Sequence, residues 1–171
     1  RYFTEILRST EARMMIRSLF VSLQELNKGA RRPEGIEDTK FKKIGVVGAG
    51  FMGAGIAYVT AKAGIPVVLL DRDMASAEKG KAHSAGLMDA AIKKGRATAE
   101  DKEKLLSLIT PAEDYKLLDG ADLVVEAVFE DSQIKKDVTE KTEAVLAPSA
   151  TFASNTSTIP ISSLATNSSR P

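Results

Sequence analysis

The sequence predicts an α/β fold, a doubly wound Rossmann-type parallel sheet with an N-terminal helical appendage. Three observations lead there. Apolar runs of strand length alternate with helical stretches from Lys43 onward, a glycine-rich turn joins the first run to the first helix, and an acid closes the second run. The expected division places a helix and linker in residues 1–40. Residues 41–171 form the Rossmann domain, expected to be truncated on its C-terminal side.

The elements follow in chain order. Thr10 or Ser9 can cap a helix through EARMMIRSLFVSLQELNK, where Met14, Ile16, Leu19, Val21, Leu23 and Leu26 recur at broadly helical spacing and Gly29 is a stop. ARRPEGIEDTK lacks periodicity and reads as linker. Ile44 to Val47 suits a buried parallel strand. Phe51 to Lys62 is helical, with its alanines and Ile56, Val59 and Ala63 available to pack on the sheet and Gly64 as its end. Ile65 to Leu70 is a second strand. A long helix runs from about Ala75 to Lys94, ended by Gly95, and a shorter one from Ala99 to Ile109 leads into a brief third strand. Asp122 to Val128 is the next strand, Ser132 caps a helix through Val145, and Thr151 to Ala153 is a short strand entering SNTS.

Composition narrows the function. Twenty-four basic and 23 acidic residues leave a formal charge of +1, which gives no basis for nucleic acid as a partner. The clusters Arg31-Arg32 and Lys93-Lys94 with Arg96 have acids nearby and read as solvated surface. With no cysteine, disulfides, thiolate catalysis and cysteine-bound zinc are out, and a reducing compartment is compatible. The single histidine, His83, leaves no cluster for a metal, so none is expected. No apolar run reaches bilayer length, and the charged start RYFTEILRSTEARMMIRSLF does not read as a signal peptide. A first residue Arg and an end at SSRP suggest a piece of a longer protein.

The stretch KIGVVGAGFMGAGIAYVTAKAGIPVVLLDRD carries the clearest chemistry. Gly48 permits a tight turn, Gly50 removes a side chain where a pyrophosphate approaches the backbone, and Gly53 lets the helix pack closely on the strand. Phe51 and Met52 open that helix, whose free N–H groups meet phosphates. Gly55 is expected to make a further close helix–sheet contact. Asp71, 18 residues beyond Gly53, stands where an acid binds the adenosine ribose hydroxyls and repels a 2′-phosphate. The cofactor expected is therefore NAD rather than NADP. Arg72 can offset a phosphate or stack on adenine, and Asp73 has no assigned role. The competing reading is a glycine-rich turn in another α/β protein, with Asp71 as a surface cap.

Two further segments reach the same edge of the sheet. In DLVVEAVFEDSQIKK, Glu126 and Glu130 close or follow the apolar run, and Lys135 lies a turn into the next helix. Glu130 and Lys135 serve either a site or an ordinary ion pair. In TFASNTSTIP, Asn155, Thr156 and Ser157 offer small hydrogen-bonding groups for a nicotinamide, or turn caps. His83 lies on the helix after the second strand, against a sheet face, and reads as a surface or packing residue rather than a general base.

From about Phe41 to Pro171 the chain resembles the NAD-binding domain of 3-hydroxyacyl-CoA dehydrogenases, especially those in multifunctional fatty-acid β-oxidation proteins. KIGVVGAGFMGAGIAYVTA, VVLLDRD, ADLVVEAVFEDSQIKK and TFASNTSTIPISSLA carry the match, in that order. The resemblance implies that Gly48, Gly50 and Gly53 cradle phosphate and Asp71 binds ribose. It implies that Glu130 and Lys135 are a cofactor-site pair, Asn155 is on the nicotinamide side, and Ser157 contacts both cofactor and substrate. It implies oxidation of (3S)-3-hydroxyacyl-CoA to 3-oxoacyl-CoA with NAD, by a protein whose general-base histidine is expected beyond residue 171. The helical C-terminal domain that completes the acyl-CoA site and a homo-oligomer is expected there too. By itself this stretch is expected to be inactive. TEARMMIRSLFVSLQELNKGARRPEGI resembles the junction to an upstream enoyl-CoA hydratase/isomerase domain; the rival is a membrane-surface helix. The implied compartment is cytoplasmic in a bacterium, and peroxisomal or mitochondrial in a eukaryote. The alternatives are another NAD(P)-dependent hydroxy-acid dehydrogenase and a non-catalytic NAD-binding module.

Overall fold

The computed structural model describes residues 2–36 and 39–170. Arg1 and Pro171, the outer limits of the two expected domains, and Glu37 and Asp38 of the expected linker lie outside the described residues. The chain divides into two compact units between Thr39 and Lys40.

The first unit is a chain of short helices: α1 (Tyr2–Leu7), α2 (Thr10–Ile16), a π-helical turn (Arg17–Ser22) and α3 (Leu23–Asn27). The expected helix is present, running from Thr10 to Asn27 through the π-helical turn, whereas α1 before it was not anticipated. Ser9, with an extended backbone, separates α1 from it and caps it as expected. Its hydroxyl donates to the Ile6 carbonyl at 2.7 Å and accepts from the Ala12 N–H at 3.1 Å. None of these elements buries a residue. Phe3, Met14, Leu19, Phe20 and Leu26 are all more than half exposed.

The second unit is the predicted sheet. Strands β1 (Ile44–Val47), β2 (Val67–Leu70), β3 (Ile109–Ala112), β4 (Leu123–Glu126) and β5 (Thr151–Ser154) lie all parallel in the order β3-β2-β1-β4-β5. The helices are α4 (Phe51–Lys62), α5 (Met74–Lys93), α6 (Ala99–Ser107), α7 (Ser132–Glu143) and α8 (Ile161–Ala165), with a 3₁₀ turn over Tyr115–Leu118. The 3₁₀ turn and α8 were not anticipated, being too short to show a period.

Both sheet faces are covered, as the alternation of side chains requires. Ile44, Val46, Val67, Leu69 and Ile109 meet Ala57, Ala61, Met88 and Leu105 on one face. Val47, Val68, Leu70, Ala112 and Val124 meet Leu118, Val138 and Leu146 on the other.

The face by which α4 packs matches expectation in part. The alanines Ala54, Ala57 and Ala61 are buried with Gly53 and Thr60, and the half-buried Ile56 packs against the core, whereas Val59 is 59% exposed and Ala63 is exposed. Small side chains let the helix axis approach the strands, so the alanine face wins over the bulkier one. Gly55 is likewise corrected. A Cβ built there meets nothing within 4 Å, so it makes no close sheet contact. The tight contact belongs to Gly80 on α5, where a Cβ would stand 2.7 Å from the Ala49 Cβ and 2.9 Å from the Ala49 carbonyl oxygen.

Two caps also move. Asp73 acquires a role as the N-cap of α5, accepting from the Ser76 N–H at 2.7 Å. Asp131, not Ser132, caps α7 by accepting from Gln133 and Ile134.

Candidate functional site

The register brings the carboxyl ends of four strands into line: Val47 stands opposite Leu70 and Glu126, and Glu126 stands opposite Ser154. Chain order reverses between β1 and β4, and that crevice is where a doubly wound sheet takes ligands. The loops after β1, β2, β4 and β5 all open there.

The loop after β1 is shaped by its glycines. Gly48 has φ +101°, and a Cβ on it would stand 2.6 Å from the Ala127 carbonyl oxygen. A Cβ on Gly53 would fall 1.7 Å from the Gly48 carbonyl oxygen. Gly50 is different in kind, because its missing side chain faces open space with nothing within 4 Å. Side chains cap α5, α6 and α7, but none caps α4. The first turn of α4, opened by Phe51 and Met52 (82% and 51% exposed), therefore offers backbone N–H groups toward the crevice. A Cβ-free approach and an uncapped helix N-terminus are what a pyrophosphate requires.

Asp71 lies just past β2 and is half-buried. Its Oδ2 accepts from the Ala49 N–H at 2.6 Å, and its Oδ1 accepts from the Arg72 N–H at 2.7 Å. It ties the end of β2 to the glycine loop, and each oxygen retains a lone pair for a ribose hydroxyl. Arg72 is 85% exposed at its side chain and pairs through Nε with Asp73 at 3.1 Å.

Across the crevice, one carboxylate organises the loop after β5. Glu130 Oε1 accepts from the Thr156 hydroxyl at 2.6 Å, the Ser157 N–H at 2.8 Å, the Thr158 N–H at 2.9 Å and the Thr158 hydroxyl at 3.2 Å. Asn155 donates its N–H to the Glu126 carbonyl at 2.7 Å and is half-buried, while Ser157 is exposed.

Lys135 is not at the surface of the site. It is 1% exposed, and its ammonium donates to Glu126 Oε1 and Oε2 at 2.8 and 2.9 Å and lies 3.2 Å from Glu130 Oε2. The expected Glu130–Lys135 pair exists, but the buried carboxylate Glu126 is the closer partner. Any influence of Lys135 on a ligand therefore passes through Glu130. The signal for Glu126 was an acid ending an otherwise apolar strand nine residues before a lysine.

The hydrogen bonds from Thr156, Thr158 and Ser157, with Lys135 adding to them, hold the Glu130 carboxyl far below the usual carboxylate range. Its folded value is depressed from 4.5, so its stabilising contribution is whole above that pH. The contribution wanes as the unfolded chain begins to bind the proton, and it is lost once pH falls through the folded value. The Tm gap between wild type and Glu130→Gln, measured from pH 3 to 7, is expected to be constant above about pH 5 and to narrow below it. A gap independent of pH would contradict this assignment.

His83 is exposed on α5, with its ring 6.1 Å from that of Phe51 in an edge-on contact. It belongs to the glycine-loop side and not to the loop after β5. Among the described residues no group of three or more His, Cys, Asp or Glu is placed to hold a metal, and no helix is long and apolar enough to cross a membrane. A cleft of about 690 Å³ opens between α4, α5 and α6, and one of about 720 Å³ beside β5 and α7 reaches Glu126, Lys135 and Ser154. The crevice described here is a shelf along the sheet edge.

Known proteins share this fold. Residues 43–171 match the family model described as 3-hydroxyacyl-CoA dehydrogenase, NAD binding domain. Over 99% of its length the chain is 37% identical to a fatty acid oxidation complex subunit alpha from Shewanella baltica, and it spans 24% of that relative. An (S)-3-hydroxybutyryl-CoA dehydrogenase structure from Ralstonia eutropha superposes with a TM-score of 0.74 at 37% identity, covering 77% of this chain and 46% of that one. A 3-hydroxybutyryl-CoA dehydrogenase structure from Escherichia coli gives 0.71 at 32% identity, covering 74% and 27%.

Proposed function

We infer the function from one premise: the chain belongs to the 3-hydroxyacyl-CoA dehydrogenase family, as its NAD-binding domain. The whole protein is proposed to oxidise (3S)-3-hydroxyacyl-CoA to 3-oxoacyl-CoA in fatty-acid breakdown. Bound NAD supplies the hydride acceptor, and the chain's own residues bind and orient.

The observation that carries the reading is the pair of loops facing one crevice. On one side stands the uncapped turn Gly48–Gly53 with Asp71, and on the other the loop gathered by Glu130. In this reading Gly48, Gly50, Phe51, Met52 and Gly53 hold the pyrophosphate by backbone N–H groups. Asp71 takes the adenosine ribose, and the exposed Arg72 flanks the adenine. Asn155 and Ser157 orient the nicotinamide end, and Ser157 also meets the substrate hydroxyl. Glu130 and, behind it, Lys135 fix their loop. The base that takes the hydroxyl proton is proposed to be a histidine outside these 171 residues. His83, on the helix after β2, lies against Phe51 at the start of α4.

Similarity to the alpha subunit runs through the N-terminal unit as well. Its exposed apolar residues support docking against another part of a multidomain protein, proposed here to be a hydratase/isomerase domain. Asp71→Ala tests the cofactor assignment. A carboxylate accepting two hydroxyl bonds is worth about 1.5–3 kcal/mol, so calorimetric titration is expected to show NAD affinity falling about 10- to 100-fold. The wild type should prefer NAD over NADP and the variant should lose that preference. Equal affinity of the wild type for both, or no effect of the substitution, would reject the role of Asp71.

A further inference from the structure

We infer that Glu126 is a positioning residue of this site: a buried carboxylate that no ligand touches, and that sets where the loop carrying Asn155 and Ser157 stands. The inference rests on the cofactor reading above and extends it to a residue beneath the surface.

Glu126 is 1% exposed, yet its side chain is used by three separate segments. Oε1 accepts from the Val128 N–H at 2.8 Å and from Lys135 Nζ at 2.8 Å. Oε2 accepts from Lys135 Nζ at 2.9 Å and from the Ser154 hydroxyl at 2.7 Å. The groups belong to the loop after β4, to α7 and to the last residue of β5. A buried ion pair of this kind is poor evidence of a stability device, because well-packed apolar residues commonly do as well. What distinguishes this one is its address, at the end of β4 beside the strand-order reversal.

Two arms lead from Glu126 to the loop. In the first, the bidentate grip fixes Lys135 Nζ, which stands 3.2 Å from Glu130 Oε2. That leaves Glu130 Oε1 to gather Thr156, Ser157 and Thr158. In the second, the Glu126 side chain holds the Ser154 hydroxyl while its backbone carbonyl holds the Asn155 N–H. Both ends of the segment 154–158 are thus referred to one residue. A glutamine there keeps the shape but turns an amide N–H₂ toward donors, since Lys135, Ser154 and Val128 all donate. Lys135 then shifts toward Glu130, and the loop shifts with it.

The effect should fall on one half of the dinucleotide. Asp71 and the glycine loop hold the ADP-ribose half and make no hydrogen bond to this network. Binding of NAD and of ADP-ribose, which lacks nicotinamide, should be measured calorimetrically for wild type, Glu126→Gln and the double variant Glu126→Leu with Lys135→Met. The double variant replaces the pair by apolar groups and guards against loss of folding in the single one. Expected for Glu126→Gln is about a tenfold loss for NAD with ADP-ribose within about twofold of wild type. In the double variant Tm recovers while the NAD deficit remains. An unchanged ratio of the two affinities in both variants, or an NAD deficit that vanishes together with the Tm deficit, would overturn the inference alone. Failure of the wild type to bind NAD would overturn the cofactor reading and the inference with it.

Discussion

Gly53→Ala is expected to destabilise the Rossmann unit by roughly 3 kcal/mol or more, seen as a Tm lower by about 10 °C. The added Cβ falls 1.7 Å from the Gly48 carbonyl oxygen, which is backbone and cannot rotate away. Nor can that peptide shift freely. The Gly48 N–H is bonded to the Leu70 carbonyl at 2.7 Å, and the next N–H, on Ala49, is held by Asp71 at 2.6 Å. Relief requires α4 to lift from the sheet, which opens the contacts of Ala54, Ala57 and Ala61.

Gly55 is the internal control, two residues on in the same helix. Its Cβ would meet nothing within 4 Å, and alanine exceeds glycine in helix propensity, so Gly55→Ala should stabilise by about 0.5–1 kcal/mol. Thermal unfolding of the two variants side by side is the measurement. Equal effects of the two would mean that propensity, not packing, governs this helix.

That contrast also marks where the sequence was legible. Strands β1 and β2 could be read locally, since IGVV and VVLL are apolar runs and all eight residues are buried. The bounds of α4 were readable for a similar reason, with glycine before it and Gly64 after it. Partners distant in sequence were not readable. Gly80 carries no local signal of its role, which depends on the fold bringing Ala49 against it. Glu130 lies closer to Lys135 in sequence than Glu126 does, so it was the natural partner to name. The choice was made by strand geometry, because the last side chain of β4 points into the sheet face that α7 covers. The brief third strand expected after α6 is β3, which contains Pro111, and the sheet order shows why that proline is tolerated. β3 is an edge strand, and its open side needs no N–H donor.

Gly50→Ala is expected to separate folding from binding. Gly50 has φ −66° and ψ −169°, an extended conformation open to any residue, and its Cβ would meet no protein atom within 4 Å. An alanine N-cap costs at most about 1 kcal/mol relative to glycine, so Tm should fall by no more than about 4 °C. The same Cβ enters the space in front of the first turn of α4, where the pyrophosphate meets the N–H groups. Losing two charge-assisted bonds there amounts to about 3 kcal/mol or more, or at least about a 100-fold loss of NAD affinity. The loss should extend equally to ADP-ribose, because the phosphates are common to both ligands. That pattern is the opposite of the one expected from Glu126→Gln, which spares ADP-ribose. Together the two variants divide the crevice into a phosphate half set by an absent side chain and a nicotinamide half set by a buried one. Retained NAD affinity in Gly50→Ala would remove the glycine loop from the site, since no fold defect would be available to explain the result.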